Sequence, residues 1–254
     1  MKLIRTLVPF CLALLVLLSG CPKRQVQQKT APADPEQLLA QALNDKRAKR
    51  FQQAEDALTY IIFNFPGSIQ AADAQFFLAD CYFDRKNYAE AEREFDFYLK
   101  NFPNGRYQEE AAFKMALAAL YAAPPPYKDQ SQALKAQDLL NDFLYDYPES
   151  RFRAEAERAL TDIQSRLAYR EFEAARLYFR AGEFKSALVY YEFIQDNYHL
   201  TSWSESDRYR LALCYAETGE KDKAVTILKE LAGNALSTKI RQAAQNQLNR
   251  FQHH

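Results

Sequence analysis

Tyr88-Ala-Glu-Ala91, followed by Asn101-Phe102-Pro103-Asn104-Gly105, sets an aromatic three residues before an alanine and a proline twelve residues after it. Phe51-Gln-Gln-Ala54 leads in the same way to Asn64-Phe65-Pro66-Gly67-Ser68, and Ala136 leads to Asp146-Tyr147-Pro148-Glu149-Ser150. Phe184-Lys-Ser-Ala187 leads to Asn197-Tyr198-His199, with His in the proline slot, and a last copy centres on Ala224. Twelve residues before four of these alanines stands another small residue on an apolar face: Ala42, Ala79, Ala175 and Ala212. In the third copy the earlier alanine is Ala116, twenty residues back.

Small residues at matched heights let two antiparallel helices approach closely. Tyr82, Tyr178 and Tyr215, three residues after a first alanine, fill the space beside it. Leu58, Phe95, Leu140, Tyr191 and Leu228, four after the second alanine, point inward. So do Ile61, Tyr98, Phe143, Ile194 and Leu231, seven after it. Proline ends the second helix, because it disfavours helix at the preceding residue and lacks an amide hydrogen. A helix pair written five times over Leu38 to about Leu236 resembles the tetratricopeptide (TPR) repeat. One pair cannot bury its apolar face alone, so the pairs stack into a continuous solenoid. The fold expected is all-α: a TPR-like α-solenoid of about five helix pairs, with a long helix joining two halves.

The second alanines are 37, 45, 51 and 37 positions apart. Part of the excess is an eight-residue insertion inside repeat three, holding Ala122-Ala-Pro-Pro-Pro-Tyr127, whose prolines force an exposed polyproline-like loop. The longest gap lies between repeats three and four. Phe152 to Arg180 carries no Gly or Pro and reads as one helix of about 30 residues. The organisation expected is repeats one to three over 36–150, then the long helix, repeats four and five and a capping helix over 151–254. The capping helix spans Thr238 to Phe251. Residues 21–35 are polar, with Pro22, Pro32 and Pro35, and suit a flexible tether.

Residues 1–20 read as a secretory signal. Lys2 and Arg5 precede an apolar run from Leu7 to Leu18, which ends in Leu18-Ser19-Gly20-Cys21. The run is too short to span a bilayer comfortably. Cys after Leu-Ser-Gly resembles the lipobox of bacterial lipoproteins. That resemblance implies a diacylglycerol on Cys21, cleavage before it and acylation (palmitate among the chains) of the new amino end. Several chains together anchor almost permanently, where one alone is marginal.

The chain has 33 basic and 33 acidic residues, and Lys2 and Arg5 leave with the signal, so nucleic acid is an unsuitable partner. Cys11 lies in the signal. Cys81 and Cys214 fill the same slot of distant repeats and are expected as buried free thiols, too far apart for a disulfide. His199, His253 and His254 have no partners at ligand or triad spacing. Gly-rich phosphate loops, paired-Cys motifs and nucleophile elbows are missing. The chain therefore reads as a binding scaffold and not an enzyme, with no cofactor and no metal.

The inner face of each first helix is the expected binding surface. The register puts Leu39, Leu43, Lys46 and Arg47 there, then Phe76, Asp80, Phe83 and Asp84, then Phe113, Leu117, Leu120 and Tyr121. Apolar residues on that face suggest a groove for an apolar or aromatic peptide, with Lys46 and Arg47 meeting its carboxylate. Tyr169, Phe172, Arg176, Phe179 and Arg180 make a more basic face in repeat four. Trp203, in the loop before repeat five, is a candidate partner anchor.

The lipobox, the repeats, their Asn/Asp-Phe/Tyr-Pro endings and the long helix together resemble the BamD family, lipoproteins of the outer-membrane β-barrel assembly machinery. Ser165-Arg-Leu-Ala-Tyr-Arg-Glu-Phe-Glu-Ala-Ala-Arg-Leu-Tyr-Phe-Arg-Ala-Gly182 resembles that family's fourth repeat most closely. The resemblance implies a periplasm-facing, lipid-anchored outer-membrane scaffold, partnered by the barrel insertase and its associated lipoproteins. It puts unfolded outer-membrane barrel clients on repeats one to three and the insertase on repeats four and five. Pro22, in place of Asp after Cys21, favours the outer membrane. The rival reading is another TPR lipoprotein scaffold, for type IV pilus assembly or cell-envelope division.

Overall fold

The computed structural model describes residues 34–252; the signal, Cys21, the tether through residue 33, His253 and His254 lie outside the described residues. Eleven helices and no strand occur among the described residues. Repeat one is α1 (Pro35–Arg47) and α2 (Phe51–Asn64). Repeat two is α3 (Ile69–Asp84) and α4 (Tyr88–Asn101), and repeat three is α5 (Gln108–Ala122) and α6 (Ser131–Asp146). The long α7 (Arg153–Arg180) pairs with α8 (Phe184–Asn197) as repeat four. Repeat five is α9 (Glu205–Thr218) and α10 (Lys221–Asn234), followed by α11 (Thr238–Gln252). Helix α1 starts inside the expected tether, because Asp34 accepts from the Glu36 amide and Pro35 occupies the first helical position.

All ten marker alanines are fully buried, and so are the residues four and seven positions after the second alanine of each pair. The twelve-residue spacing has a local cause. Four within-repeat turns carry one left-handed residue five positions before the second alanine: Lys49, Lys86, Gly182 and Gly219. At each, the next amide reaches back to a carbonyl five residues earlier: Arg50 to Asp45, Asn87 to Tyr82, Glu183 to Tyr178 and Glu220 to Tyr215, at 2.8–3.0 Å. This is the Schellman closure, which fixes both the exit angle of the first helix and the length of the turn. Repeat three has the proline loop instead, and there the spacing stretches to twenty.

The recurring Asn-aromatic ending has a cause too. Asn64, Asn101 and Asn197 each donate a side-chain amide to the carbonyl four residues back, on Tyr60, Phe97 and Phe193, at 2.8–2.9 Å. That satisfies one orphan carbonyl of each terminating helix.

Helix α7 serves both halves. Ala156, Leu160, Ile163 and Leu167 complete the core of repeat three, while Ala168, Phe172 and Ala175 belong to the core of repeat four. Arg166, at that boundary, donates to the carbonyls of Leu120, Ala123 and Pro124 at 3.0–3.3 Å and pins the start of the proline loop. Cys81 and Cys214 are buried free thiols, both pushed up to about 12 by burial, and so chemically quiet.

Candidate functional site

Two of the four aromatics expected to line a groove, Phe76 and Phe113, are used by the fold instead. Phe76 and Phe113 are 1% and 3% exposed. Phe76 stacks on Tyr107, centroids 4.3 Å apart, and Phe113 stacks on Phe152 at 4.8 Å. Each is covered by the aromatic that leads the chain into the next repeat. The residue before that aromatic is an arginine: Arg106 binds the buried Asp73 through two contacts, and Arg151 reaches Glu110 at 3.1 Å. Both guanidinium groups also lie over their neighbouring rings. An arginine–aromatic clasp therefore closes the second and third repeats over the face that sequence register left open. Leu117 is buried with them.

The expected carboxylate-binding cation is likewise occupied. Lys46 Nζ lies 2.8 Å from Asp80 and 2.6 Å from Asp84, and Lys114 holds the other Asp80 oxygen at 2.6 Å. Burial alone would lower the Lys46 and Lys114 pKa values, but these carboxylates outweigh it and raise both. The row is an internal ion-pair ladder joining α1, α3 and α5. Arg47 stays exposed; its Nε donates to the Leu43 carbonyl at 3.3 Å.

What remains open is an aromatic step at the ends of three helices. Phe83 closes α3, Tyr88 opens α4 and Tyr121 closes α5. Their rings lie 5.5 Å (Phe83–Tyr88), 6.0 Å (Phe83–Tyr121) and 5.1 Å (Tyr88–Tyr121) apart, and Tyr121 is half exposed. Beside it a cavity of about 350 Å³ runs between α5 and α7, lined by Leu117, Leu120, Tyr121, Glu155, Arg158, Ala159 and Asp162. The Tyr121 phenol is pushed up, first by burial and then by Glu155, Tyr88 and Asp162. The surface offers ring faces, aliphatic walls, the Arg158 guanidinium and the carboxylates of Glu155 and Asp162. Sequence reading missed Tyr88, Glu155, Arg158 and Asp162. Tyr88 was visible only as a repeat marker, and the others sit on the half of α7 that lacked a repeat register.

The face expected on repeats four and five divides. Phe172 is buried against the edge of Trp203 at 4.9 Å, and Trp203 also meets Tyr191 at 5.6 Å. Trp203 is thus a half-buried joint between repeats and no free anchor. Arg176 is spent on Asp207, at 2.9 and 2.5 Å, and on Glu173. Asp207, buried and unread in the sequence, also accepts from Ser204 and Arg210. Burial would push its carboxyl up, but Arg176, Ser204 and Arg210 hold it below the usual range. Tyr169 and Arg180 do reach solvent, together with Leu177.

Among the described residues no group of three or more His, Cys, Asp or Glu is placed to hold a metal ion, and no helix is long and apolar enough to cross a membrane.

Known proteins resemble this chain at three levels. The family model YfiO, described as outer membrane lipoprotein, matches residues 32–231. The outer membrane protein assembly factor BamD of Rickettsia prowazekii is 23% identical over 75% of this chain and 76% of that protein. The putative assembly factor BamD of Aquifex aeolicus is 25% identical over 72% of this chain and 60% of its own length. Among solved structures, a TPR repeats protein from Bacteroides fragilis aligns with 87% of this chain and 100% of its own. Its identity is 15% and its TM-score 0.47. MamA aligns with 80% of this chain and 96% of its own, at 15% identity and a TM-score of 0.40. The family match covers most of the chain, which therefore belongs to the YfiO family of outer membrane lipoproteins.

Proposed function

We propose, from membership of that family as the premise, that the chain is an assembly factor for outer-membrane proteins. In this reading it is a periplasm-facing scaffold held to the membrane by acyl chains on Cys21. The likeness to the two BamD assembly factors supports the role. The Phe83–Tyr88–Tyr121 step is the observation that supports a client site on repeats one to three. Unfolded barrel proteins expose alternating aromatic side chains, and three clustered rings beside an aliphatic cavity suit such segments. Arg158 gives that cavity a donor for a terminal carboxylate, the role the sequence pattern assigned to Lys46 and Arg47. Repeats four and five, through Tyr169, Leu177 and Arg180, dock the barrel insertase.

Titration with a fluorescent peptide copying the carboxy-terminal strand of a barrel protein tests the client site. Tyr121→Ala with Tyr88→Ala is expected to weaken binding about thirtyfold, since each of the two rings is worth about 1 kcal/mol. Unchanged affinity in a folded variant rejects the step as the site. Crosslinking in intact cells and mass spectrometry tests the wider role. Recovery of a barrel protein with periplasmic repeats is the expected result. Recovery of pilus or division proteins keeps the anchored solenoid and discards the assembly role.

A further inference from the structure

The helices run alternately up and down, so the molecule has two long edges. The between-repeat loops form one edge, 65–68, 102–107 and 147–152, and the within-repeat turns form the other. Helix α1 begins on the first edge, because the α1–α2 hairpin returns Asn64 to the level of Pro35. Among the described residues of repeats one to three, that edge carries Phe63, Ile69 and Tyr145, which are 78%, 73% and 86% exposed. Pro66, Pro103 and Pro148 are exposed between them. Three large apolar side chains this open along one edge, with exposed prolines between them, make a row that a covering surface would bury.

We infer that this loop edge of repeats one to three rests in the interfacial layer of the membrane, with Phe63, Ile69 and Tyr145 inserted among lipid headgroups and upper acyl chains. The inference rests on the lipid-anchor reading of Cys21. Twelve residues separate Cys21 from Asp34, so the two lie at most about 45 Å apart. The anchored chain therefore joins the fold on the same edge as the apolar residues. A tether this short holds its two ends at an effective concentration on the order of millimolar, so contacts too weak to bind alone become occupied.

Charge argues for insertion over electrostatic adsorption. Arg106 and Arg151 on this edge are already paired with Asp73 and Glu110, and Asp146 and Glu149 stand exposed beside them. The opposite edge carries the cations Lys49 and Lys86, unpaired among the described residues, while its Arg50 and Arg85 are held by Asp45 and Glu55. It lies a full α1 length, about 20 Å, from where the anchored chain joins.

The test uses the acylated full-length chain in vesicles of phosphatidylethanolamine and phosphatidylglycerol with brominated acyl chains. Phe63→Trp, Ile69→Trp and Tyr145→Trp are made singly in a Trp203→Phe background, with Tyr127→Trp, exposed on the opposite edge, as control. Loss of emission and a blue shift are expected for the first three and not for the control, unchanged at high salt. Flotation of the unsubstituted chain but not of Cys21→Ala verifies the anchor independently. If the chain floats and the three probes stay unquenched, or the control is quenched as strongly, the inference fails and the anchor stands. If the chain does not float, the anchor reading itself fails. Hydrogen exchange on the unsubstituted acylated protein gives a readout free of substitutions. Protection confined to residues 60–70 and 143–150 on vesicles supports the inference, and its absence overturns it.

Discussion

Repeats two and three are closed by one device, and repeats four and five by another. In the first pair of junctions an arginine–aromatic dipeptide leads into the next repeat. Its ring stacks flat on the buried Phe76 or Phe113, and its guanidinium takes an acid on the preceding first helix. At the later junction the dipeptide is Ser202-Trp203. Trp203 meets Phe172 edge-on, and the salt bridge runs the other way, from Arg176 forward to Asp207. The aromatic three residues before the first alanine is common to all three junctions, so the packing demand is shared. The charge pairing differs. Where every charge on the contact is buried in one acid, as in Asp207, the junction depends on that acid. Where the arginine is mostly exposed, as in Arg106, the ring carries the junction.

The largest contrast is expected from ring deletion. Phe76→Ala or Phe113→Ala leaves a cavity under a stacked ring and should lower stability by about 3–5 kcal/mol in urea unfolding. Trp203→Ala, half-exposed at the start, should lose less. An equal loss would show that the two kinds of junction are mechanically alike. Next is Asp207→Ala, which strands Arg176 and Arg210 together, at about 2–3 kcal/mol once their partial exposure is allowed for. Arg106→Ala leaves the buried Asp73 without its partner, and because burial already holds that carboxyl above its ordinary value it can take up a proton, so the loss should be about 1–2 kcal/mol. Reversal of that order would break the distinction drawn from burial.

Acid should open the later junction first. Asp207 titrates below its ordinary value of 3.8 in the folded protein. Its contribution is therefore complete above that value and is lost as pH falls through the lower folded value. Trp203 is the chain's one tryptophan and sits in this junction, so its emission should shift below about pH 4 before the helical circular dichroism falls. Simultaneous loss of both signals would mean that the array unfolds as one unit.

The smallest effects concern the turns. Lys49→Gly should stabilise by about 0.5–1 kcal/mol, because glycine adopts the left-handed region without a Cβ clash. Gly182→Ala should destabilise by about 1 kcal/mol through the backbone alone, since an added Cβ meets nothing within 4 Å. Thermal melts of the two variants should move in opposite directions.

The helix pairs were legible in the sequence because their determinants are local or nearly so. A fully buried alanine, a left-handed turn residue five positions before it and a terminating proline all act within one hairpin, and a hairpin repeats its own numbering. The insertion in repeat three and the length of α7 were legible for the same reason. The binding face was only half legible. Register put Phe76, Phe113, Phe172 and Tyr121 on one side of first helices, but register says nothing about how far the next repeat leans over. That lean buried the first three rings, exposed the fourth, and turned Lys46 and Arg176 from candidate ligand groups into partners of Asp80 and Asp207. Helical periodicity thus determines which way a side chain points from its own axis. Its exposure is settled by the packing between repeats, where residues 31 to 39 positions apart meet through stacking and charge that no single hairpin contains.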